Sequence, residues 1–325
     1  MKLKVIAALA AAAFASALPA YADDFPSHSL TMVIPFAAGG PTDILGRIVA
    51  ARMGEVLGQT VIVENVAGAG GMTGSARVAN ANPDGYQFVL GTVGTHAQGQ
   101  TLYKEPLYNA VTDFTPAALI ATVPLVLEVR KDLPVNNFKE FVAYTKEHQA
   151  QMQYASAGIG SAVHLGCVLM NYVIGVNVTH VPYRGSAPAL QDLEAGRDDY
   201  MCDIITTAKP PIDSGAMKGI ATLDTKRSPA LPDIPTAEEQ GTPGVVAYTW
   251  NAIFLPKNTP DAIVKKIHDA VLEAMHTPSV RDKLSAFGAE IVSDQDSTPQ
   301  HLGDLVKSEI TKWAAPIKAA GVTVE

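Results

Sequence analysis

The stretch Leu30-Thr31-Met32-Val33-Ile34-Pro35-Phe36-Ala37-Ala38-Gly39-Gly40-Pro41-Thr42-Asp43 decides how the rest of the chain is read. Leu30 to Phe36 is a near-continuous apolar run, the pattern of a strand buried on both faces. A Gly/Pro turn follows from Ala37 to Thr42, and from Asp43 to Leu57 the residues Leu45, Ile48, Val49, Met53 and Val56 recur at helical spacing. Gly58 stops that helix. Val61–Val63 and Phe88–Leu90 are the next strands, and Pro83-Asp84-Gly85 turns the chain into the second of them. The order βαβαβ predicts a parallel sheet in an α/β fold.

A second alternating series starts near Leu125–Val129. It continues through a helix over Phe138–His148 and strands at Met152–Ala155, Val178–Val181, Tyr200–Asp203 and Ile220–Leu223. A Pro-rich stretch with Pro229, Pro232, Pro235 and Pro243 then carries the chain back to the strand-like Ala252–Leu255. Thr259-Pro260 reads as a helix start, with Ile263, Ile267, Val271 and Met275 on one face, and a last helix runs from about Thr298 to Ala320. Two α/β domains are predicted, the second inserted in the first: residues 23–122 with 246–325, and residues 123–245. Strands crossing near 122 and 245 are natural hinges, and the cleft between such domains is where small ligands bind.

The first residues set the compartment. Lys2 and Lys4 precede an apolar run from Val5 to Leu18, shorter than the roughly 20 residues a membrane span needs. Ala20-Tyr21-Ala22 follows, so residues 1–22 read as a signal peptide cleaved after Ala22, which predicts export to the periplasm. No cysteine stands where a lipid anchor would attach, and a chain not embedded in the membrane is expected. The 24 basic and 32 acidic side chains give a formal charge of −8, with no basic cluster, which argues against nucleic acid as partner. A negative chain also cannot draw in an anion at long range, so an anion site here must be built from local donors and dipoles.

Two turns fit that requirement. Phe36, Ala38, Gly39, Gly40 and Thr42 lead straight into a helix start, where unpaired N–H groups and a partial positive charge can hold a carboxylate. Asp43 either caps that helix or fixes a water between itself and the ligand. Ser156, Ala157, Gly158 and Ser161 form a second turn between strand and helix, which is either an ordinary βα connection or an opposing anion cradle. Thr92, Thr95 and His96 follow the third strand at its carboxyl end, where open α/β sheets place ligands, and offer further donors. Gly68-Ala69-Gly70-Gly71-Met72-Thr73-Gly74 misses the dinucleotide pattern at Thr73 and lacks a P-loop lysine, so no nucleotide cofactor is expected. The eight histidines show no metal-ligand spacing, and no G-x-S-x-G nucleophile elbow is present. Cys167 and Cys202 either pair in the oxidising compartment or stay buried as thiols.

Nearly the whole chain after the leader resembles the tripartite tricarboxylate transporter receptors, also called Bug or TctC-like proteins. The resemblance is carried by Val33 to Asp43, Val63-Glu64-Asn65 with Gly68 to Gly71, Pro83 to Tyr86, Tyr154 to Gly158 with Gly160-Ser161, His180 to Gly185, Lys226 to Pro229 and Leu231 to Thr236. It implies a periplasmic binding protein-like fold of type II, two α/β domains joined by crossing strands around a central cleft, closing like a Venus flytrap. It further implies a receptor, expected as a monomer, that hands a small carboxylate to the membrane subunits of a two-component permease. Di- and tricarboxylates, acidic amino acids and aromatic carboxylates all fall in the implied ligand class. Phe36 to Asp43 matches the family's carboxylate-binding segment; Ser156 to Ser161, His164, Tyr183 and Arg184 match segments facing it. Arg184 can take a carboxylate bidentately or stand on the rim. Cys202 to Thr207, with Asp203 among them, is a candidate specificity wall. The competing readings are a sensory receptor that presents its closed form to a membrane kinase, and a hydrolase using Ser161 with His164.

Overall fold

A computed structural model describes residues 25–319 and 321–323. The leader read over residues 1–22 lies outside the described residues. The first lobe opens with β1 (Leu30–Ile34), α1 (Pro41–Leu57) and β2 (Val61–Asn65). A 3₁₀ turn over Ala69–Gly71 runs into α2 (Met72–Ala79), and β3 (Gln87–Thr92) leads through a π-helical turn to α3 (Gly99–Leu102). β1 pairs in parallel with both β2 and β3, as the βαβαβ order requires.

The second lobe comprises α4 (Phe138–His148), β5 (Gln153–Ser156), α5 (Ala162–Ile174), β6 (Thr179–Pro182), α6 (Ser186–Glu194), β7 (Tyr200–Ile204), α7 (Ile205–Asp213) and β8 (Met217–Thr222). The chain returns along β9 (Tyr248–Pro256) to α8 (Asp261–His276), α9 (Pro278–Ala286), β10 (Glu290–Ile291) and α10 (Pro299–Ala319). Thr259 does not cap α8; its hydroxyl donates to the Pro256 carbonyl, and the helix begins at Asp261.

Between the lobes lies β4 (Phe114–Arg130), seventeen residues long and far longer than the Leu125–Val129 segment read from the sequence. Pro116 and Pro124 hide it, because a residue without an N–H argues against a central strand. The structure resolves the conflict locally. Pro116 sits at a register shift against β9, and Pro124 stands where β4 changes partners. Phe114 to Pro124 pairs with β9, whereas Leu125 to Val129 pairs with β7 and Val126 to Arg130 with β8. The full order is β2-β1-β3-β9-β4-β7-β5-β6, with β8 and β10 also pairing with β4.

The core follows this strand. Met32, Ile34, Leu45, Val49 and Met53 of the first lobe belong to one buried cluster with Ile120, Val123, Leu125, Leu127 and Val129 of β4 and with Phe138, Phe141 and Tyr200 of the second lobe. On the other face of the first sheet, Val33, Val89, Leu119, Trp250 and Phe254 pack with Leu302, Val306 and Trp313 of α10. Ile263, Ile267, Val271 and Met275 of α8 are all buried, each worth roughly 1.5–3 kcal/mol relative to exposure.

Candidate functional site

The β1–α1 turn is held open by a charged network on its outer side. Gly40 is the N-cap of α1 and Pro41 its first residue, with no side-chain cap. Asp43 turns back instead: its Oδ2 accepts from the Gly39 N–H at 2.9 Å and from Arg47 Nε at 3.0 Å, and its Oδ1 from Asn65 Nδ2 at 2.9 Å. Asn65 Nδ2 also donates to the Phe36 carbonyl, which ties the turn to the end of β2. Burial acts to raise the Asp43 carboxyl, but Arg47, the Gly39 N–H and Asn65 outweigh it and hold it below the usual carboxylate range. Asp43 and the Gly39 N–H are thereby committed to shaping the turn.

The β5–α5 turn is shaped without charge. Ser161 caps α5 by accepting the His164 N–H, while His164 Nδ1 accepts the Gly160 N–H at 3.2 Å. The Gly158 N–H donates to Ser156 Oγ, which lies 2.7 Å from His180 Nε2, and the two imidazoles stack 4.2 Å apart. Burial pushes His164 down to about 3, with His180 adding to the effect, and burial alone pushes His180 down to about 4. Ser161 and His164 therefore face each other as a helix cap, and the imidazole does not bond the Ser161 hydroxyl.

Between the two turns lies a chamber of ≈ 310 Å³, lined by Phe36, Pro41, Thr42, Thr92, Ala157, Ser161, Ala162, Val163, Ser186, Ile204 and Thr249. Only ≈ 20 Å³ of it is open to the centre of a water molecule, about the room one water needs. Pro41 and Thr42 open α1, Ala162 and Val163 open α5, Ser186 opens α6, and Ile204 is the N-cap of α7. Four helix starts thus converge on one space whose lining includes no lysine or arginine. First-turn N–H groups have no acceptor in their own helix, and each helix adds a partial positive charge.

The lobes meet around this space. The Ala37 N–H donates to the Arg184 carbonyl, Tyr103 Oη to the Ile159 carbonyl and Thr206 Oγ1 to the Phe287 carbonyl. Gly70, at φ 60°, lies so close beneath Ile159 that a Cβ there would strike the Ile159 carbonyl. Arg184 is exposed and stands with Gly68 to Gly71, Tyr103, Gly158, Ile159 and Tyr183 around an outer groove of ≈ 790 Å³, of which ≈ 390 Å³ is open to the centre of a water molecule. The Tyr183 hydroxyl is turned away, 2.8 Å from a carboxylate oxygen of each of Asp192 and Asp198.

Of the residues named from the sequence, Phe36, Thr42, Thr92, Ala157 and Ser161 line the chamber, and Gly158, Tyr183 and Arg184 line the groove outside it. Ala38 and Gly39 are exposed on the outer side of the turn, and Gly40 caps α1. Ser156, His164 and Asp203 stand behind the wall. Thr95 and His96 do not reach the chamber. Thr95 Oγ1 accepts the Thr92 N–H, and His96 is fully buried, stacked 3.9 Å from the Phe254 ring and pushed down to about 3 by burial. Sequence reasoning passed over Ser186 and Thr249: Ser186 follows the glycine N-cap Gly185 at the start of α6, a signal that could have found it, whereas Thr249 lies within β9 with no turn to mark it. Cys167 and Cys202 are joined as a disulfide with Cα atoms 5.3 Å apart, pinning α5 to β7. Closing a loop of that length contributes about 3–4 kcal/mol. No cluster of metal-ligating side chains occurs among the described residues, and no helix there is long and apolar enough to cross a membrane.

Known proteins share this architecture. The chain is similar to the periplasmic binding protein BugD at 39% identity and TM-score 0.90, covering 93% of this chain and 100% of that one. It is similar to MatC (Rpa3494) from Rhodopseudomonas palustris, solved with bound malate, at 39% identity and TM-score 0.88 over 90% and 100% of the two chains. R. palustris Rpa4515, solved with adipate, matches at 36% identity and TM-score 0.88 over 92% and 99%. Residues 45–322 match the model of the family described as "Tripartite tricarboxylate transporter family receptor". With two α/β lobes around a chamber of helix starts and a family match over most of its length, the chain belongs to the tripartite tricarboxylate transporter receptors, the TctC or Bug family.

Proposed function

We propose that this protein is an exported receptor that encloses one small carboxylate between its lobes and delivers it to the membrane subunits of a two-component permease. The observation that carries the reading is the convergence of the α1, α5, α6 and α7 starts on a chamber with no basic side chain. Such a site holds an anion by backbone donors and dipoles alone. The similar structures solved with malate and adipate support a carboxylate. Residues 23–122 with 246–325 and residues 123–245 act as the moving bodies, with the bend at Pro124–Leu125 and Ala247–Tyr248, where β4 changes partners and the Leu125 N–H donates to the Ala247 carbonyl. The chamber is too small in this conformation for a diacid, so capture requires the lobes to part and reclose. No bond is made or broken; the closed, loaded form of a periplasmic monomer freed of residues 1–22 is what the permease recognises.

Thermal unfolding of the mature protein, refolded free of bound ligand, tests this against mono-, di- and tricarboxylates. A binder at 100 times its Kd adds about 2.7 kcal/mol of stability, read as a selective rise in Tm. No rise with any acid, in protein whose native circular dichroism is restored, overturns the reading.

A further inference from the structure

Next to the chamber, but not among its lining residues, sits a buried carboxyl. Asp203, on β7, is fully buried. Its Oδ1 accepts from the Ser186 hydroxyl at 2.7 Å and its Oδ2 from the Thr207 hydroxyl at 2.5 Å. Among the described residues its side-chain hydrogen-bond partners are hydroxyls and none is a cation; the buried carboxyl of Glu128 on β4 is raised by burial and by Asp203. Burial pushes Asp203 up to about 6, so at neutral pH it is ionised and can only accept.

Ser186, by contrast, does line the chamber. A serine hydroxyl has one hydrogen and two lone pairs, and here the hydrogen is given to Asp203. With that hydrogen committed, what the Ser186 hydroxyl can offer a ligand is an acceptor with a buried negative charge behind it. A carboxylate oxygen placed there meets lone pair against lone pair, whereas a hydroxyl or an ammonium group is satisfied.

We infer that Asp203, acting through Ser186, makes the chamber select acids that carry a hydroxyl or amino group beside the carboxylate over acids of the same length that lack one. This rests on the carboxylate reading above and adds the ligand's second functional group. Asp203 is a positioning residue: it sets the direction of the Ser186 hydrogen.

The test is calorimetric titration of the mature protein with matched sets: succinate, L-malate and L-aspartate; glutarate and 2-hydroxyglutarate; propionate and lactate. The hydroxy or amino member of the set that binds is expected to be at least about tenfold tighter than its plain counterpart, the worth of one well-made hydrogen bond. Asp203→Asn offers an amide that donates to Ser186 and frees its hydrogen for the chamber, so the preference should collapse or invert while the plain acid still binds. Ser186→Ala leaves Asp203 with Thr207 and gives the same collapse if the first variant does not fold. A plain acid binding wild type as tightly as its hydroxy counterpart, or a preference unchanged in Ser186→Ala, overturns the inference and leaves the receptor reading standing. Failure of every acid to bind overturns the receptor reading and this inference with it.

Discussion

The two turns that flank the chamber do the same job with opposite chemistry. In the β1–α1 turn, an ionised Asp43 gathers Gly39, Arg47 and Asn65 on the side away from the chamber. In the β5–α5 turn, Ser156, Ser161 and His164 satisfy the same kind of backbone donors with neutral groups, and His180 bonds the Ser156 hydroxyl behind them. The difference teaches where charge is tolerated. Arg47 is half exposed at the molecular surface, so its partner Asp43 is readily balanced there. The second turn packs against Tyr154 and the sheet, where an unpaired ion would be costly.

Acid should break the symmetry between the turns with the largest effect. His164 and His96 are held neutral, pushed down from 6.5 to about 3. The unfolded chain binds more protons than the fold below pH 6.5, so stability is fully present above that pH and is lost as pH falls toward 3. From pH 6.5 to 5 these two together cost about 3 kcal/mol, and His180, pushed down to about 4, adds about 1–2 in the same direction. Asp203, raised from 3.8 to about 6, runs the other way and returns about 1 kcal/mol over the same interval. Urea denaturation across pH 5–7 measures the slope. His164→Gln should flatten it, whereas Asp43→Asn should not, since the lowered Asp43 carboxyl titrates below 3.8.

A smaller effect isolates the charged turn. Asp43→Ala leaves the Gly39 N–H, Arg47 and Asn65 without their shared acceptor and should cost about 2–3 kcal/mol at neutral pH by denaturant titration. An unchanged midpoint would mean that the network is ornamental and that the glycines alone set the turn. Smallest is the neutral cap: Ser161→Ala removes the acceptor for the His164 N–H and should cost about 1 kcal/mol, with ligand affinity falling as the α5 start frays. If the loss matched that of Asp43→Ala, the two turns would be equivalent after all.

Much of this was legible in the chain. The helix over Phe138–His148 matches its apolar spacing residue for residue, and the strand–glycine–helix order around Gly39 and Gly158 announces both turns. What was not legible depends on partners far away in sequence. The direction of His96 is set by Phe254 across β9, which draws the ring into the core, although position alone put it at the carboxyl end of a strand. Ser186 acquires its special character only because β7 brings Asp203 to its hydroxyl, seventeen residues away in sequence. The length of β4 was hidden by two prolines whose missing donors are harmless where register shifts and partners change.

That long strand also governs how the molecule comes apart. β4 lends its first half to one sheet and its second to the other, and a single buried cluster runs along it from Met32 to Phe141. Melting either lobe strips β4 of half its neighbours and exposes apolar surface that the surviving lobe relies on. The lobes are therefore expected to form one cooperative unit, and thermal unfolding should show both halves melting together in one transition.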